Sequence, residues 1–235
     1  MKKIFLNFGL FLALGLTIAV FNSCDEDDDK NGGSGSISKI TATNVINGST
    51  QIKTVKALVY WGDYDNEDAI AQAPYTNNGF TLELPKTLSA KYLFLISEDA
   101  PSGITISDKN VKIYVLEDIS GYDKDDDEIG YFYLEEEKGD NEYYTSWIYS
   151  DRDVTIKGQD DGDKYNLQLK KGWNVVYDSY TDNGFSLMSE KPSGVNYSWN
   201  FYGAYGYRSA SVPVGAKSAY KADKFWSRFR TIEEK

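Results

Sequence analysis

Short runs in which apolar and polar residues alternate recur along the chain, and they constrain its fold more than any other feature. In VNYSWNFY, residues 195–202, every second side chain is apolar. The same alternation occurs in KYNLQL, residues 164–169, and in GFTLELP, residues 79–85. A period of two is typical of a β-strand that buries one face, whereas a helix repeats every 3.6 residues. Clusters of Gly, Asn, Asp and Pro separate the runs, as expected for turns between strands.

The number and spacing of the runs predict an all-β chain with β-sandwich architecture rather than alternating strands and helices. The pattern changes near the C-terminus, where Phe225, Trp226, Phe229 and Ile232 recur at helical spacing after the potential cap Asp223. A short C-terminal helix is therefore predicted, with a final strand as the alternative. Further strands are predicted at Ile37–Ile46, Thr54–Trp61, Lys91–Ile96, Val111–Leu116, Ile129–Leu134, Tyr143–Tyr149, Asp153–Lys157 and Trp173–Asp178.

A sequence motif that occurs twice suggests that the chain contains two similar sandwich halves. PYTNNGFTL, residues 74–82, and SYTDNGFSL, residues 179–187, agree at six of nine positions. The alternative is independent use of the same turn residues, because Asn-Gly before an alternating strand favours a hairpin. The acidic, apolar-poor segment 121–128 separates the halves. The predicted units are a first β-sandwich region at 37–120 and a second β-rich region, with the C-terminal tail, at 128–235.

The N-terminus has the pattern of a secretory signal peptide at residues 1–23. Lys2 and Lys3 precede an apolar stretch at 4–21, and the small residue Ser23 ends the segment. A basic region followed by an apolar region is typical of such signals. An uncleaved membrane helix is the alternative, but acids rather than basic residues follow the stretch.

The chain has a single cysteine, Cys24, placed directly after this segment and before an acidic run. The segment resembles a bacterial lipoprotein signal, in which cleavage occurs before a cysteine that is then lipidated. VFNSC departs from the usual cleavage box in a way that is similar to lipoproteins of the Bacteroidota, and the acids resemble the surface-export signal of that group. The resemblance implies a lipid-anchored protein of the outer membrane that faces the cell exterior. Residues 24–36 contain acids, Gly and Ser and predict a flexible tether.

Charge and composition exclude several classes of function. Residues 1–23 contain two lysines and no acid, so the processed chain would carry 23 basic and 36 acidic side chains, a net charge of −13. Nucleic acid is not an expected partner, because phosphate binding requires a basic surface. The absence of histidine excludes Ser-His-Asp and Cys-His catalysis and His-ligated zinc. We therefore expect a non-catalytic protein.

Acidic residues leave two other chemistries open. Paired carboxylates can hydrolyse glycosides without histidine, and the acids at Glu117, Asp118 and 135–137 follow predicted strands. Solvated surface acids are the alternative. Two acidic loops are candidates for a nonstandard structural calcium site, with plain solvated loops as the alternative. The calcium candidates are Asp123, Asp125, Asp127, Asp160, Asp161 and Asp163.

Aromatic residues are the main candidates for binding a ligand. Tyr144 and Trp147 lie in NEYYTSWIYS, and Tyr202, Tyr205 and Tyr207 lie among glycines in NFYGAYGYRSAS. Exposed rings can stack on sugars, whereas buried rings would form core packing. Alternation within the first segment indicates that one of its two aromatic rows is buried.

The first predicted strands after the tether suggest a binding or scaffold module. The region VKALVYW…GFTLELP…KYLFL, residues 55–95, resembles the first strands of transthyretin-like or carboxypeptidase-regulatory-like sandwiches. That resemblance implies no active site. The expected function is a lipid-anchored, non-catalytic surface module that binds a glycan or a protein. The alternatives are a structural subunit of a surface or pilus-type assembly and a carboxylate-driven glycosidase.

Overall fold

The computed structural model describes residues 36–61, 66–98, 100, 102–116, 118–182 and 184–203. Regular structure in these ranges consists of fifteen β-strands and one turn of 3-10 helix, Ile96–Glu98, so the all-β prediction is confirmed. The predicted signal peptide, nearly all of the tether and the C-terminal helix lie outside the described residues. The strands are β1 (Lys39–Ala42), β2 (Thr54–Trp61), β3 (Asn66–Pro74), β4 (Phe80–Glu83), β5 (Phe94–Leu95), β6 (Ile104–Ile106), β7 (Lys112–Leu116), β8 (Asp118–Tyr122), β9 (Glu128–Lys138), β10 (Asn141–Ser150), β11 (Val154–Asp160), β12 (Asp163–Leu169), β13 (Gly172–Thr181), β14 (Gly184–Met188) and β15 (Ser198–Gly203).

Thirteen of these strands form one continuous sheet, while β1 and β4 form a separate antiparallel pair. The large sheet has two parts because β9 and β10 change partners along their length. β9 pairs first with β8 and β15 and then with β10. β10 pairs along one edge with β13 and along the other with β9 and then β7. The first part is β3-β2-β8-β9-β15, and the second is β5-β7-β10-β13-β14-β12-β11-β6.

The first hydrophobic core joins the two parts of the sheet and the small β1–β4 pair, as in a β-sandwich. Aromatic rings dominate it, and Phe80 meets both Phe132 and Trp199 edge to face, with ring centroids 5.0 and 5.3 Å away. Such contacts stabilise aromatic pairs beyond the area they bury. Principal members are Ile40, Val55, Ala57, Phe80, Leu82, Phe132, Leu134, Trp147, Tyr149, Trp173, Trp199 and Phe201.

A second core lies on the other face of β7, β10 and β13. Ile113 and Val115 of β7 and Ile148 of β10 contribute to it, together with apolar residues of β11, β12 and β14. The second part of the sheet therefore curls around this core. Because β7 is buried on both faces, its sequence KIYVL is a continuous apolar run after Lys112 rather than an alternating one.

Neither core coincides with a predicted half of the chain. The first contains Val55 and Trp199, and the second contains Ile113 and Leu187. The acidic segment between the predicted halves is a hairpin connection between β8 and β9, which are neighbours in one sheet. The division into 37–120 and 128–235 stays a prediction about the organisation of the chain.

Most of the sequence-predicted strands exist, and their buried faces follow the alternation. β2 has the predicted bounds Thr54–Trp61. Tyr165, Leu167 and Leu169 of β12 are all buried, as expected from KYNLQL. No strand is predicted at β3, β6 or β8: β3 is rich in alanine and largely accessible, and β6 and β8 are only 3 and 5 residues long.

The repeated motif forms a two-residue turn in its first copy, and the corresponding residues of the second copy are paired. Asn77 and Asn78 have φ angles of 52° and 58°, and Thr76 and Gly79 exchange two backbone hydrogen bonds of 3.0 Å. Positive φ at both central residues is typical of a two-residue type I′ hairpin turn, which asparagine tolerates. In the second copy Thr181 is likewise paired with Gly184 across two residues. Both the duplication and the independent use of the same turn residues therefore stay predictions.

Candidate functional site: a tyrosine–carboxylate row

One face of four adjoining strands, β15, β9, β10 and β13, carries tyrosines and carboxylates. Phe132 and Leu134 point into the first core, so Tyr133 and Glu135 of β9 lie on the opposite face. Register extends this face, because Glu135 is paired with Tyr144 of β10. We call the set of side chains on this face, together with the β14 ring next to it, the tyrosine–carboxylate row: Tyr133, Glu135, Glu142, Tyr144, Asp178, Tyr180, Phe185 and Tyr202.

Glu135 lies at the centre of the row. It is paired on one side with Ser198 of β15 and on the other with Tyr144 of β10. The Tyr202 hydroxyl donates a hydrogen bond to its carboxylate. Glu135 is only 5% exposed, whereas the other members of the row are half-buried. The partner change of β9 therefore brings the aromatic residues of β15 and β10 to the same carboxylate.

The rings of the row make edge-to-face and tilted contacts. Tyr133 and Tyr202 have centroids 5.8 Å apart with an interplanar angle of 62°. Tyr144 and Tyr180 are 6.1 Å apart at 78°, and Tyr180 lies 4.9 Å from Phe185 at 45°. Offset geometries of this kind are the favoured ones for aromatic pairs. The rings thus form two groups within the row, Tyr133 with Tyr202, and Tyr180 with Tyr144 and Phe185.

Hydroxyl groups hold the carboxylates of the row in place. The Tyr144 hydroxyl donates to Glu142 over 2.8 Å, and the Ser146 hydroxyl donates to Asp178 over 2.6 Å. Burial, followed by the hydrogen bond to Glu135, raises the pKa of Tyr202 well above its usual range. Tyr202 therefore stays a neutral hydrogen-bond donor at physiological pH.

The groups of the row can make two kinds of contact with a ligand. Tyrosine rings offer flat apolar surfaces, and carboxylates accept hydrogen bonds from hydroxyl or ammonium groups. Sugars combine apolar ring faces with many hydroxyl donors. The tyrosine rings match the sugar faces, and the carboxylates match the hydroxyl groups. Cationic peptide side chains could use the same two features.

Two of the sequence-predicted ligand residues, Tyr144 and Tyr202, lie in the row. Their role in binding stays a prediction. Sequence reasoning missed Tyr133 and Tyr180 and considered Glu135 only among the acids for glycoside hydrolysis. The proximity of these residues depends on strand pairing over long sequence separations. The alternation in the β9 and β10 sequences indicates which residues share a face of one strand, but not which strands adjoin.

Trp147, by contrast, is a core residue and not a surface platform for a ligand. It is 5% exposed and stacks on Trp199 with ring centroids 5.7 Å apart and planes 9° apart. The reason is register: β10 pairs with β7 and β13 at this point, and one face of all three strands lines the first core. Cys24, Tyr205 and Tyr207 lie outside the described residues.

The acidic loops proposed for calcium are tight hairpin connections. Asp123 accepts hydrogen bonds on its Oδ1 from the backbone amides of Asp125 and Asp127, at 2.8 and 3.1 Å. Asp160 is paired with Asp163 across the two-residue Asp161–Gly162 turn, where both central φ angles are positive. Among the described residues no three acids, cysteines or histidines are arranged to hold a metal ion. Turn formation explains the position of these acids.

The carboxylates considered for hydrolysis do not share one face. Glu135 and Glu137 lie on the face of the row, whereas Glu136 points the other way and accepts a 2.7 Å hydrogen bond from the Asn196 amide. Asp118 lies on β8, where its carboxylate accepts a 2.7 Å hydrogen bond from the Tyr60 hydroxyl. Glu117 lies outside the described residues.

The Tyr60–Asp118 pair leads to a pH-dependent expectation. Burial, supported by the charges of Glu128 and Glu67, raises the pKa of Asp118 despite the hydrogen bond from Tyr60. The folded state therefore binds a proton more tightly than the unfolded state, so ionised Asp118 destabilises the protein above its folded pKa. This cost disappears as the pH falls below the unfolded pKa, about 3.9.

We therefore expect Asp118→Asn to raise the urea midpoint at pH 7 and to have less effect near pH 4. Asparagine keeps an oxygen that can accept the Tyr60 hydroxyl hydrogen bond. Asp140→Asn is the control, because Asp140 is exposed in the turn between β9 and β10. An equal midpoint change at both pH values would contradict the assignment of this cost to the Asp118 charge.

The fold and the row define an all-β, sandwich-type protein with an aromatic and acidic face. Comparison of the chain with protein-family models, with curated proteins and with solved structures gives no match. In the part of the chain that the structure describes, no helix is long and apolar enough to cross a bilayer.

Proposed function

We propose that the protein is a lipid-anchored, non-catalytic binding module of the outer membrane surface. Its tyrosine–carboxylate row binds a glycan or a protein ligand. The observation that carries the proposal is the convergence of Tyr202, Glu135 and Tyr144 from three neighbouring strands. Residues on rigid strands are held more precisely than residues on loops, which suits a preformed binding surface.

The arrangement of the row supports an extended ligand. The row crosses β15, β9, β10, β13 and β14, which are successive neighbours. Neighbouring strands are about 4.8 Å apart, so the row measures about 19 Å along an ideal flat sheet. A linear oligosaccharide or an extended peptide matches such a length better than a single sugar does.

The sequence supports the membrane anchor. A signal-like segment leads directly to the sole cysteine, and the following residues are acidic and then rich in glycine. Attached acyl chains would anchor the chain, because each buried methylene contributes about 0.8 kcal/mol. The net negative charge opposes electrostatic binding to anionic lipids, so acylation would supply the attachment.

Assembly through a sheet edge is the second candidate. β3 is nine residues long and ends the order of strands in the large sheet. An edge strand can accept a strand from a partner. However, β3 carries Glu67, Asp68 and Pro74 and has a register irregularity opposite Ala57 and Leu58. Charges, proline and bulges at an edge oppose pairing, so we favour ligand binding.

The proposal is tested by glycan-array binding of the full-length protein in detergent micelles. Tyr144→Ala and Tyr202→Ala should each lower affinity for a bound glycan about tenfold, since aromatic contacts contribute on the order of 1 kcal/mol. Tyr92→Ala is the control, because Tyr92 is also half-buried but packs beside Tyr114, away from the row.

Circular dichroism should confirm that all three variants fold. Equal affinity of the Tyr144 and Tyr92 variants would contradict the assignment of the site. If the protein binds no glycan on the array, a glycan is not its ligand, and a protein ligand is expected instead.

A further inference from the structure

We propose that the row selects glycans by charge: it binds neutral and amino sugars and excludes glycans that carry carboxylate or sulfate groups. This inference rests on the proposed function and concerns the same row. Neutral sugars would use the tyrosine rings, and protonated amino sugars would gain contacts with the carboxylates in addition.

The charges on the row face have one sign. Glu135, Glu137, Glu142 and Asp178 occupy it, and Glu137 is the cross-strand partner of Glu142. The remaining positions on this face of the described strands β9, β10, β13 and β15 carry no lysine or arginine. Anionic ligands would therefore approach several like charges without a compensating cation from these strands.

One basic side chain of a strand farther along the sheet already has two other contacts. Lys56 of β2 lies on the same side of the sheet, because Val55 and Ala57 point into the first core. Its ammonium group contacts Asp126 at 2.7 Å and lies 3.9 Å from the centroid of the Tyr122 ring. Recruiting Lys56 to an anionic ligand would break both contacts.

Partial burial strengthens the effect of the charges. Glu142 and Asp178 are half-buried, and partly buried charges are less screened by salt than exposed ones. Rings and carboxylates favour the same ligand charge, because a tyrosine face also attracts a cation. An ammonium group on a sugar would therefore gain from both kinds of residue, whereas a sulfate or carboxylate would lose from both.

Three linear hexasaccharides with glucose, glucosamine and galacturonic acid units test the selectivity, measured by calorimetry on the full-length protein in detergent. At low salt the glucosamine hexamer should bind about tenfold more tightly than the glucose hexamer, and the galacturonate hexamer should not bind. Raising the salt concentration should reduce the difference in affinity between the glucosamine and glucose hexamers.

Glu142→Gln isolates the charge, because it keeps the size of the side chain. It should reduce the preference for glucosamine over glucose about fivefold, and Glu142→Lys should allow galacturonate to bind. Glu83→Gln on β4 is the matched control, since Glu83 is an exposed strand residue of the separate β1–β4 pair.

Each outcome decides between the two proposals. Binding of galacturonate as tight as that of glucose would overturn the charge selectivity and leave the proposed function intact. If only the glucosamine hexamer binds, the interaction depends on charge alone, and the proposed binding of neutral sugars is wrong. If no hexamer binds, the glycan ligand itself is wrong. Glucosamine binding that neither Glu142→Gln nor Tyr144→Ala changes would remove the row as the site.

Discussion

Trp199→Ala should lower the free energy of unfolding by about 3–5 kcal/mol, the usual cost of removing a large aromatic side chain from a core. Trp199 is 2% exposed and stacks on Trp147. Its indole nitrogen donates a 3.1 Å hydrogen bond to the Thr41 carbonyl, which joins β15 to β1. The exchange would therefore leave a cavity and an unsatisfied carbonyl oxygen at the same point.

Urea unfolding followed by circular dichroism measures this effect, with Trp61→Ala as the control. Trp61 is half-buried near the end of β2, and its indole donates to Asp68 over 2.8 Å. The same exchange there should cost about 1 kcal/mol, as is common outside cores. Equal losses for the two variants would contradict the position of Trp199 in the first core.

Cys24→Ala should abolish acylation and release the protein from the membrane fraction, if the proposed lipid anchor is correct. Removing the thiol removes the site of attachment, and stable anchoring needs more than one acyl chain or a second signal. Metabolic labelling with a fatty acid, followed by membrane fractionation, measures both effects.

Ser23→Ala is the matched control for the anchor, because it keeps a small residue before the cysteine. This variant should be labelled and fractionated like the unaltered protein. Continued acyl labelling of the Cys24→Ala variant, or its retention in the membrane fraction, would contradict the lipoprotein interpretation.

Local pattern was sufficient to predict most strands. The period of two marks β4, β12 and β15, because a strand with one buried face alternates wherever it lies in the fold. The alternation did not predict strands that are accessible or very short. β3 is an accessible edge with three alanines, and β6 is a three-residue strand beside β11.

The row shows the limit of that reasoning for the candidate site. Alternation predicts that Tyr144 and Trp147 lie on opposite faces of β10, since they are three residues apart. It does not indicate which face becomes core. That choice depends on the strands that pack beside β10, and it makes Trp147 a stacking partner of Trp199.

The sequence by itself therefore determined the all-β class, which residues share a face of each alternating strand, and the absence of histidine chemistry. Only the tertiary structure decided that Tyr202, Glu135 and Tyr144 meet, because this requires β9 to pair with β15 and β10 at one residue. The physical reason is the range of the interactions. Alternation and turn preference act between near neighbours in the chain, whereas strand register is set by the packing of whole sheet faces.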